Sequence, residues 1–300
     1  MESLVQEVVP VAAQSGSAAR LAAYIELTKP RITFLVVLTA AAGYCMGSAS
    51  GIDYAGLVNM AVGIALLSSG IGTLNQYLER NSDRLMRRTQ ARPLPSAKLR
   101  PAEAAIFGIL LSIVATAYLA VFINPLSAVL GVATLASYLF VYTPLKTKTT
   151  LSTVLGAFPG AMPPFIGWVA ATGAITIEAW VLFAILFLWQ FPHFLAIAWM
   201  YRDDYARAGI KMLPVVEPEG KVTGQQIISY TLLLLPVSLL PAAVGLAGSV
   251  YLVGAGVLGL VFLYFSARAA LARTARQARR LLLASVLYLP VLFALMVLNR

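Results

Sequence analysis

The stretch "GLVNMAVGIALLSSGIGTL" (residues 56–74) decides the fold class, because it carries no charge and is long enough to span a bilayer as a helix. It continues into "NQYLERNSDRLMRRTQARPLPS" (75–96), which places two acids and five arginines within 22 residues. Only 11% of the whole chain is charged. An explanation is therefore needed for charge that concentrates at one end of an apolar helix, and for acids that stand among arginines.

Composition extends the membrane interpretation to the whole chain. Of its 300 residues, 60% are hydrophobic, and the mean hydropathy is +0.83. Soluble domains are typically about 45–50% apolar. Apolar runs of spanning length recur, whereas a membrane β-barrel needs short alternating segments, which the sequence lacks. We predict an all-α, polytopic membrane helical bundle. Cys45 is the only cysteine, so an intrachain disulfide and a cysteine metal cluster are both excluded.

Nine transmembrane helices are predicted. Residues 1–20 contain acids and no basic region before their apolar part, so we interpret them as a disordered N-terminal extension and not as a signal peptide. Residues 21–300 then form one nine-helix membrane domain. The predicted spans are 32–50, 56–78, 102–122, 126–143, 151–172, 177–199, 226–246, 249–266 and 281–298.

The loops between these spans alternate in charge. Loops after spans 1, 3, 5 and 7 contain no Lys or Arg, whereas the other four loops are basic. The positive-inside rule then places the N-terminus and the basic loops in the cytoplasm. The net charge of +10 is thus mostly topological and does not indicate nucleic-acid binding. We expect the arginines of residues 268–280 to contact anionic lipid headgroups.

Acids contribute little to topology, so those near a membrane edge suggest function. Asn75, Glu79 and Asp83 are spaced four residues apart and form one stripe on a helix. Carboxylates with waters and phosphate oxygens suit Mg²⁺, and arginine forks suit phosphate. The stripe therefore indicates a Mg–diphosphate site. A salt-bridged loop at the membrane edge, for example with Asp83 paired to Arg87, is the alternative from spacing alone.

Two further basic loops add polar groups. In "WMYRDDYARAGIKMLPVV" (199–216), the adjacent Asp203 and Asp204 cannot point the same way on a helix. Asp203 can pair with Arg207, which would turn Asp204 elsewhere. In "YTPLK" (142–146), Tyr142 and Lys146 are four residues apart. We expect these loops and the stripe to surround one cavity at the cytoplasmic end of the bundle.

Five strings carry a resemblance to a known family: "TKPRITFLV" (28–36), "NQYLERNSDRLMRRTQARPLP" (75–95), "YTPLKTKTTLST" (142–153), "PGAMPPFIGWVAATG" (159–173) and "WQFPHFLAIAWMYRDDYARAGIKMLPVV" (189–216). The chain resembles the UbiA superfamily of intramembrane prenyltransferases, and within it the branch that farnesylates heme. That superfamily has nine helices, Asn-x-x-x-Asp-x-x-x-Asp after the second and an acidic loop after the sixth. Here the middle acid is Glu79, and Ala208 stands four residues after Asp204.

The resemblance implies a Mg-dependent prenyltransferase of the cytoplasmic membrane that joins farnesyl diphosphate to a vinyl group of heme B, with addition of water, to give heme O. A downstream heme-modifying enzyme is the implied partner. The implied catalytic residues are Asn75, Glu79, Asp83, Asp203 and Asp204. Of these, Asn75, Glu79, Asp83 and Asp204 would bind Mg²⁺. The implied diphosphate-binding residues are Arg88, Arg92, Lys146, Lys148, Arg202 and Tyr142.

His193, the only histidine, lies within the sixth predicted span. We predict a heme contact for it, while iron ligation and a plain helix-packing role remain open. Two other functions also remain open from sequence. One is prenyl transfer to another aromatic acceptor, such as a quinone precursor. The other is transport, although transporters place their polar residues near the middle of the membrane and not at one face.

Overall fold

The computed structural model describes residues 16–49 and 51–300, and within them the chain is helical, with no β-strand. Residues 1–15 of the predicted extension lie outside the described residues, and residues 17–20 form the first turn of α1. The helices are α1 (Ser17–Leu27), α2 (Pro30–Gly47), α3 (Tyr54–Leu85), α4 (Pro101–Phe122), α5 (Pro125–Ala136), α6 (Thr143–Leu145), α7 (Ser152–Thr172), α8 (Ile177–Met200), α9 (Arg202–Arg207), α10 (Leu213–Val216), α11 (Lys221–Val237), α12 (Leu240–Ala243), α13 (Ser249–Ala272) and α14 (Ala275–Leu298).

The predicted bundle of nine transmembrane helices is confirmed for the described part of the chain, where nine helices are long and apolar enough to cross a membrane. The second span differs most from its prediction, because α3 runs for 32 residues to Leu85 instead of ending near residue 78. The predicted end followed the loss of hydropathy. The helix continues because residues 79–85 contain neither proline nor glycine.

The fourth span is a composite of α5, a π-helical turn at Ser137–Tyr142, and α6. Pro144 has no N–H, so the carbonyl of Phe140, four residues earlier, has no α-helical donor. The Thr143 hydroxyl donates to the carbonyl of Tyr138 at 2.8 Å. These local departures from the α-helical hydrogen-bond pattern determine how the chain leaves the membrane before Lys146.

Helices α2 and α7 approach each other at backbone distance. Gly43 faces the carbonyl of Pro164, and Gly167 faces the carbonyl of Ala40, so that a Cβ atom at either glycine would collide with the opposite backbone. Small residues permit such close packing between membrane helices, where lipid provides no hydrophobic drive for association. The largest buried cluster lies beyond this pair, where α7 and α8 pack with α11, α13 and α14.

The basic loops meet at one end of the bundle. The backbone N–H of Lys211 donates to the carbonyl of Lys146 at 2.8 Å, and Arg207 Nε donates to the carbonyl of Leu85 at 3.3 Å. At the opposite end, the C-terminal arginine donates to the carbonyl of Cys45 at 2.5 Å. The predicted grouping of the loops therefore holds in space. Their assignment to the cytoplasm stays a prediction.

Candidate active site

The predicted stripe on α3 exists and is largely buried. Asn75 is 2% exposed, Asp83 is fully buried, and the Glu79 side chain is 15% exposed. All three lie on one continuous helix because α3 extends to Leu85. Buried polar groups require partners, and buried carboxylates require charged ones. The partners of the stripe come from three separate parts of the chain.

Asn75 is held by Lys29, a residue that sequence reasoning did not select. Lys29 lies between α1 and α2, and its ammonium donates to Asn75 Oδ1 at 2.8 Å. Its backbone is left-handed, with φ of 50°, a conformation that costs a non-glycine residue about 1 kcal/mol or more. Burial, aided by the nearby Arg92 cation, lowers the pKa of Lys29 to about 7. A strained backbone thus directs a partly buried cation at the first residue of the stripe.

Glu79 is paired with Lys146, a residue of the loop that follows the fourth span. Lys146 Nζ lies 2.5 Å from Glu79 Oε1 and 4.2 Å from the centre of the Tyr142 ring. Burial alone would lower the pKa of Lys146, but the nearby Tyr142 and Glu79 oxygens outweigh burial and raise it. The fourth span therefore supplies a persistent cation to the middle of the stripe.

Asp83 is paired with Arg92. One guanidinium nitrogen, Nη1, donates to both Asp83 oxygens, at 2.9 and 2.8 Å. The loop after α3 turns back on the helix, and the Thr89 hydroxyl holds this turn by donating to the Asp83 carbonyl at 2.8 Å. The charged pair is thus built by a local reversal of the chain, which Pro93 follows immediately.

The second acidic loop separates its two carboxylates. Asp204 is 7% exposed, accepts the backbone N–H of Arg88 at 3.3 Å and pairs with Arg207. Asp203 is 88% exposed in its side chain and lies 3.7 Å from Arg202. The considered pairing of Asp203 with Arg207 is therefore wrong. The short α9 turns Asp204, and not Asp203, toward the end of α3.

The remaining candidate cations are less closely placed. The Arg88 guanidinium lies over the Tyr205 ring at 4.8 Å and donates to its hydroxyl at 2.9 Å. Arg202 lies over the Trp199 ring at 5.4 Å, away from the stripe. Lys148 is exposed, and no side-chain hydrogen bond or ion pair is found for it among the described residues. Of the predicted diphosphate ligands, Lys146, Tyr142 and Arg92 adjoin the stripe directly.

His193 faces α14. Its Nδ1 lies 2.8 Å from the Ser285 hydroxyl, and its ring stacks on Trp189 with centroids 4.7 Å apart. Trp189 itself donates to the Ser285 carbonyl at 2.9 Å. This arrangement favours the helix-packing role that the sequence left open. A heme contact by His193 stays a prediction.

Sequence reasoning missed two cations of the site, Lys29 and Arg207. Nothing local marked Lys29 as a site residue, because a lysine directly before Pro30 indicates only the flank of a membrane helix. Its partner Asn75 lies 46 residues away, so the contact depends on how α2 packs on α3. Arg207 was considered with the wrong aspartate, since spacing alone does not show which face of α9 is buried.

The donor chemistry of the site fits Mg²⁺. Asn75, Glu79, Asp83 and Asp204 offer only oxygen ligands, which hard cations prefer. Within residues 16–49 and 51–300, no three acidic, histidine or cysteine side chains cluster closely enough to form a metal cage. Mg²⁺ commonly uses one or two carboxylates together with waters and substrate phosphate oxygens. The separated carboxylates suit that mode and not an all-protein cage.

Three comparisons with known proteins bear on this site. The protoheme IX farnesyltransferase of Solibacter usitatus is 54% identical over 286 residues, covering 92% of this chain and 98% of that protein. Its counterpart from Koribacter versatilis is 45% identical over 295 residues, covering 95% of each. A solved UbiA homologue from Archaeoglobus fulgidus, bound to GPP and Mg²⁺, has a TM-score of 0.62 and 17% identity, covering 91% of this chain and 99% of that one.

The family assignment rests on sequence, since 17% identity supports only a shared fold. Residues 36–294 match the UbiA prenyltransferase family, and this range contains the stripe, its partners Lys146 and Arg92, and the second acidic loop. The resemblance inferred from the motifs is therefore confirmed. The match includes the buried acidic stripe and two of its three cations, at one end of the nine membrane helices found among the described residues, and the chain belongs to the UbiA prenyltransferase family.

Proposed function

We propose that this chain transfers the farnesyl group of farnesyl diphosphate to a vinyl group of heme B, with addition of water, to give heme O. The observation that carries the proposal is the buried stripe of Asn75, Glu79 and Asp83 with its converging cations. Relatives at 54% and 45% identity that are named for protoheme IX farnesylation support the choice of acceptor. Residues 21–300 form the catalytic domain.

The residues that would hold Mg²⁺ are Asn75, Glu79, Asp83 and Asp204. When bound, Mg²⁺ supplies charge stabilisation to the departing diphosphate. The UbiA homologue that binds GPP and Mg²⁺ supports this part of the proposal. Asp203 is left out of the metal set because its side chain is 88% exposed.

The diphosphate would be bound by Lys146, Arg92 and Lys29, with Tyr142 beneath the Lys146 ammonium. Lys146 and Arg92 are each already bonded to one carboxylate, at 2.5 and 2.8 Å. Substrate binding would therefore exchange partners within a set of charges that is already desolvated, which lowers the cost of burying a polyanion. Lys29 has a neutral partner and a pKa lowered to about 7, and the negative charge of a bound diphosphate would favour its protonated form.

The proposed transfer replaces the carbon–oxygen bond at farnesyl C1 with a carbon–carbon bond. The bond between farnesyl C1 and the diphosphate oxygen breaks, and the leaving oxygen takes the electron pair. The π electrons of the heme vinyl group form a carbon–carbon bond to C1, and the cation formed beside the porphyrin is captured by water, which loses a proton to solvent. The cations of this chain stabilise the charge on the leaving diphosphate, and the surrounding apolar helices limit early access of water to the allylic centre.

The membrane setting is part of the proposal. The basic end of the bundle would face the cytoplasm, following the positive-inside rule, and the protein would reside in the cytoplasmic membrane. Farnesyl diphosphate would bind with its charged head at this face and its tail among the helices. The product heme O would then pass to a downstream heme-modifying enzyme.

Extraction and mass spectrometry of hemes from cells that express the chain test the proposal. We expect heme O in these cells, and far less of it when Asp83→Asn replaces the wild type. Purified protein supplied with farnesyl diphosphate, Mg²⁺ and either heme B or 4-hydroxybenzoate then distinguishes the acceptors. Farnesylation of 4-hydroxybenzoate in place of heme B would contradict the proposed acceptor, and metal-independent turnover would contradict the proposed site.

A further inference from the structure

A pocket of about 460 Å³ opens on the basic end of the bundle, between the loop that follows α3 and the start of α9. Three arginines line it, Arg87, Arg88 and Arg207. Met200 and Tyr201 contribute an apolar side chain and an aromatic ring. The pocket therefore combines cationic forks with surface on which a flat, apolar group can rest.

The acids beside the pocket leave two of its arginines without a carboxylate partner. Two aspartates also line the pocket, and each has an arginine partner: Asp204 is paired with Arg207, and Asp203 lies 3.7 Å from Arg202. The Arg88 guanidinium donates to the hydroxyl of Tyr205, a neutral group. Arg87 is exposed, and no ion pair or side-chain hydrogen bond involves it among the described residues. The pocket is thus a site of surplus positive charge and suits a dianionic ligand.

The pocket is also continuous with the proposed metal site. Asp204 lines it, and the Arg88 backbone N–H donates to Asp204 at 3.3 Å. A ligand held by Arg87 and Arg88 would therefore lie beside the carboxylate that faces the end of α3. An acceptor anchored here by one edge can extend its opposite edge past the diphosphate toward farnesyl C1, where the new bond forms.

We infer that this pocket binds the two propionate carboxylates of the heme acceptor. The inference rests on the proposed function. Heme B carries its propionates at one edge of a flat, apolar ring and its vinyl groups at other edges. Arginine forks bind carboxylates through paired hydrogen bonds, while Met200 and Tyr201 can contact the ring. A heme held in this way extends its vinyl edge away from the arginines.

Mesoheme and its dimethyl ester test the inference in binding alone. Mesoheme has ethyl groups in place of the vinyl groups, so it keeps the propionates but cannot react, and its ester lacks the two negative charges. In phosphatidylcholine nanodiscs that contain the full chain, Soret titration should show mesoheme binding about tenfold more tightly than the ester. The substitution Arg87→Gln should remove most of this preference by weakening only mesoheme.

Arg84→Gln is the matched control, because Arg84 is an exposed arginine of the last turn of α3 that does not line the pocket. It should keep the wild-type preference for mesoheme over the ester. In turnover with heme B, Arg87→Gln should raise the KM for heme more than the KM for farnesyl diphosphate. Equal binding of mesoheme and its ester, or equal weakening of both by Arg87→Gln, would overturn the inference.

Two more results distinguish heme binding at this pocket from lipid binding there and from the proposed function. If Arg87→Gln keeps the wild-type preference for mesoheme over the ester but weakens binding of phosphatidylglycerol to the chain, the arginines serve lipid headgroups, and the inference is overturned. If mesoheme binds as expected but heme B is never farnesylated, the pocket stands and the proposed function fails. If heme O forms but mesoheme and its ester bind equally well, the proposed function stands and the assignment of the pocket fails.

Discussion

The two acidic clusters of the site differ in where their counter-charges originate. Asp83 is buried and Glu79 largely buried in α3, and the partner of Glu79 lies 67 residues away in sequence. Asp203 and Asp204 lie on a six-residue helix and use arginines of that same helix. Burial strengthens charge interactions, whereas solvent screens exposed pairs to at most about 1 kcal/mol. The Glu79 half of the α3 cluster therefore depends on tertiary packing, whereas Asp83 and the second cluster draw their arginines from nearby in the chain.

The largest expected effect is at the α3 cluster. Asp83→Asn removes the charge of a fully buried carboxylate and leaves Arg92 without its partner. We expect kcat to fall by about 10²- to 10³-fold, the usual loss when a main electrostatic contact of a transition state is removed. Steady-state farnesylation of heme B across a Mg²⁺ titration measures this. A loss that added Mg²⁺ fully restores would indicate a weaker metal site, and an unchanged kcat would contradict the assignment.

The second cluster provides a direct internal comparison. Because Asp204 is buried beside α3 and Asp203 is exposed, Asp204→Asn should reduce kcat/KM about tenfold more than Asp203→Asn. The two variants differ by one position and make the same chemical change. Parallel assays on both, with circular dichroism to check helix content, decide the matter. An equal loss in both variants would show that exposure does not separate the two roles.

A smaller effect is expected at two lysines of the loop after the fourth span, which differ in the same way between a bonded and an exposed charge. Lys146→Met removes the cation bonded to Glu79, whereas Lys148→Met removes an exposed one. We expect the KM for farnesyl diphosphate to rise about tenfold in the first variant and less in the second, since a charge-assisted hydrogen bond is worth about 1.5–3 kcal/mol. Initial rates over a range of farnesyl diphosphate concentrations measure both. A larger effect at Lys148 would move the diphosphate toward the exposed loop.

The smallest effect is expected at Lys29, whose partner Asn75 is neutral. Lys29→Gln should raise the KM for farnesyl diphosphate by about threefold to tenfold, and Lys29→Arg should recover part of the loss, because the charge and not the shape is needed. Stability should change little between these two variants, so thermal unfolding in detergent is the matched control. An equal loss of binding in both variants would assign Lys29 a purely structural role.

Much of this architecture could be predicted from local sequence. Apolar length gives the nine spanning helices seen in residues 16–49 and 51–300, and four-residue spacing places Asn75, Glu79 and Asp83 on one face. The end of α3 was set too early, because hydropathy registers the loss of apolar character and not the absence of helix breakers. Lys29 and the inward turn of Asp204 could not be read from spacing. Both depend on which helices become neighbours, and that information is not local.

The π-helical turn at Ser137–Tyr142 has a consequence for how this chain can change over time. A residue added to or removed from a membrane helix rotates everything after it by about 100°. Deleting one residue from this turn would therefore rotate the end of the span and swing Lys146 off Glu79. Substitutions in the fourth span can accumulate freely on its lipid-facing side, whereas its length is fixed by one ion pair at its end.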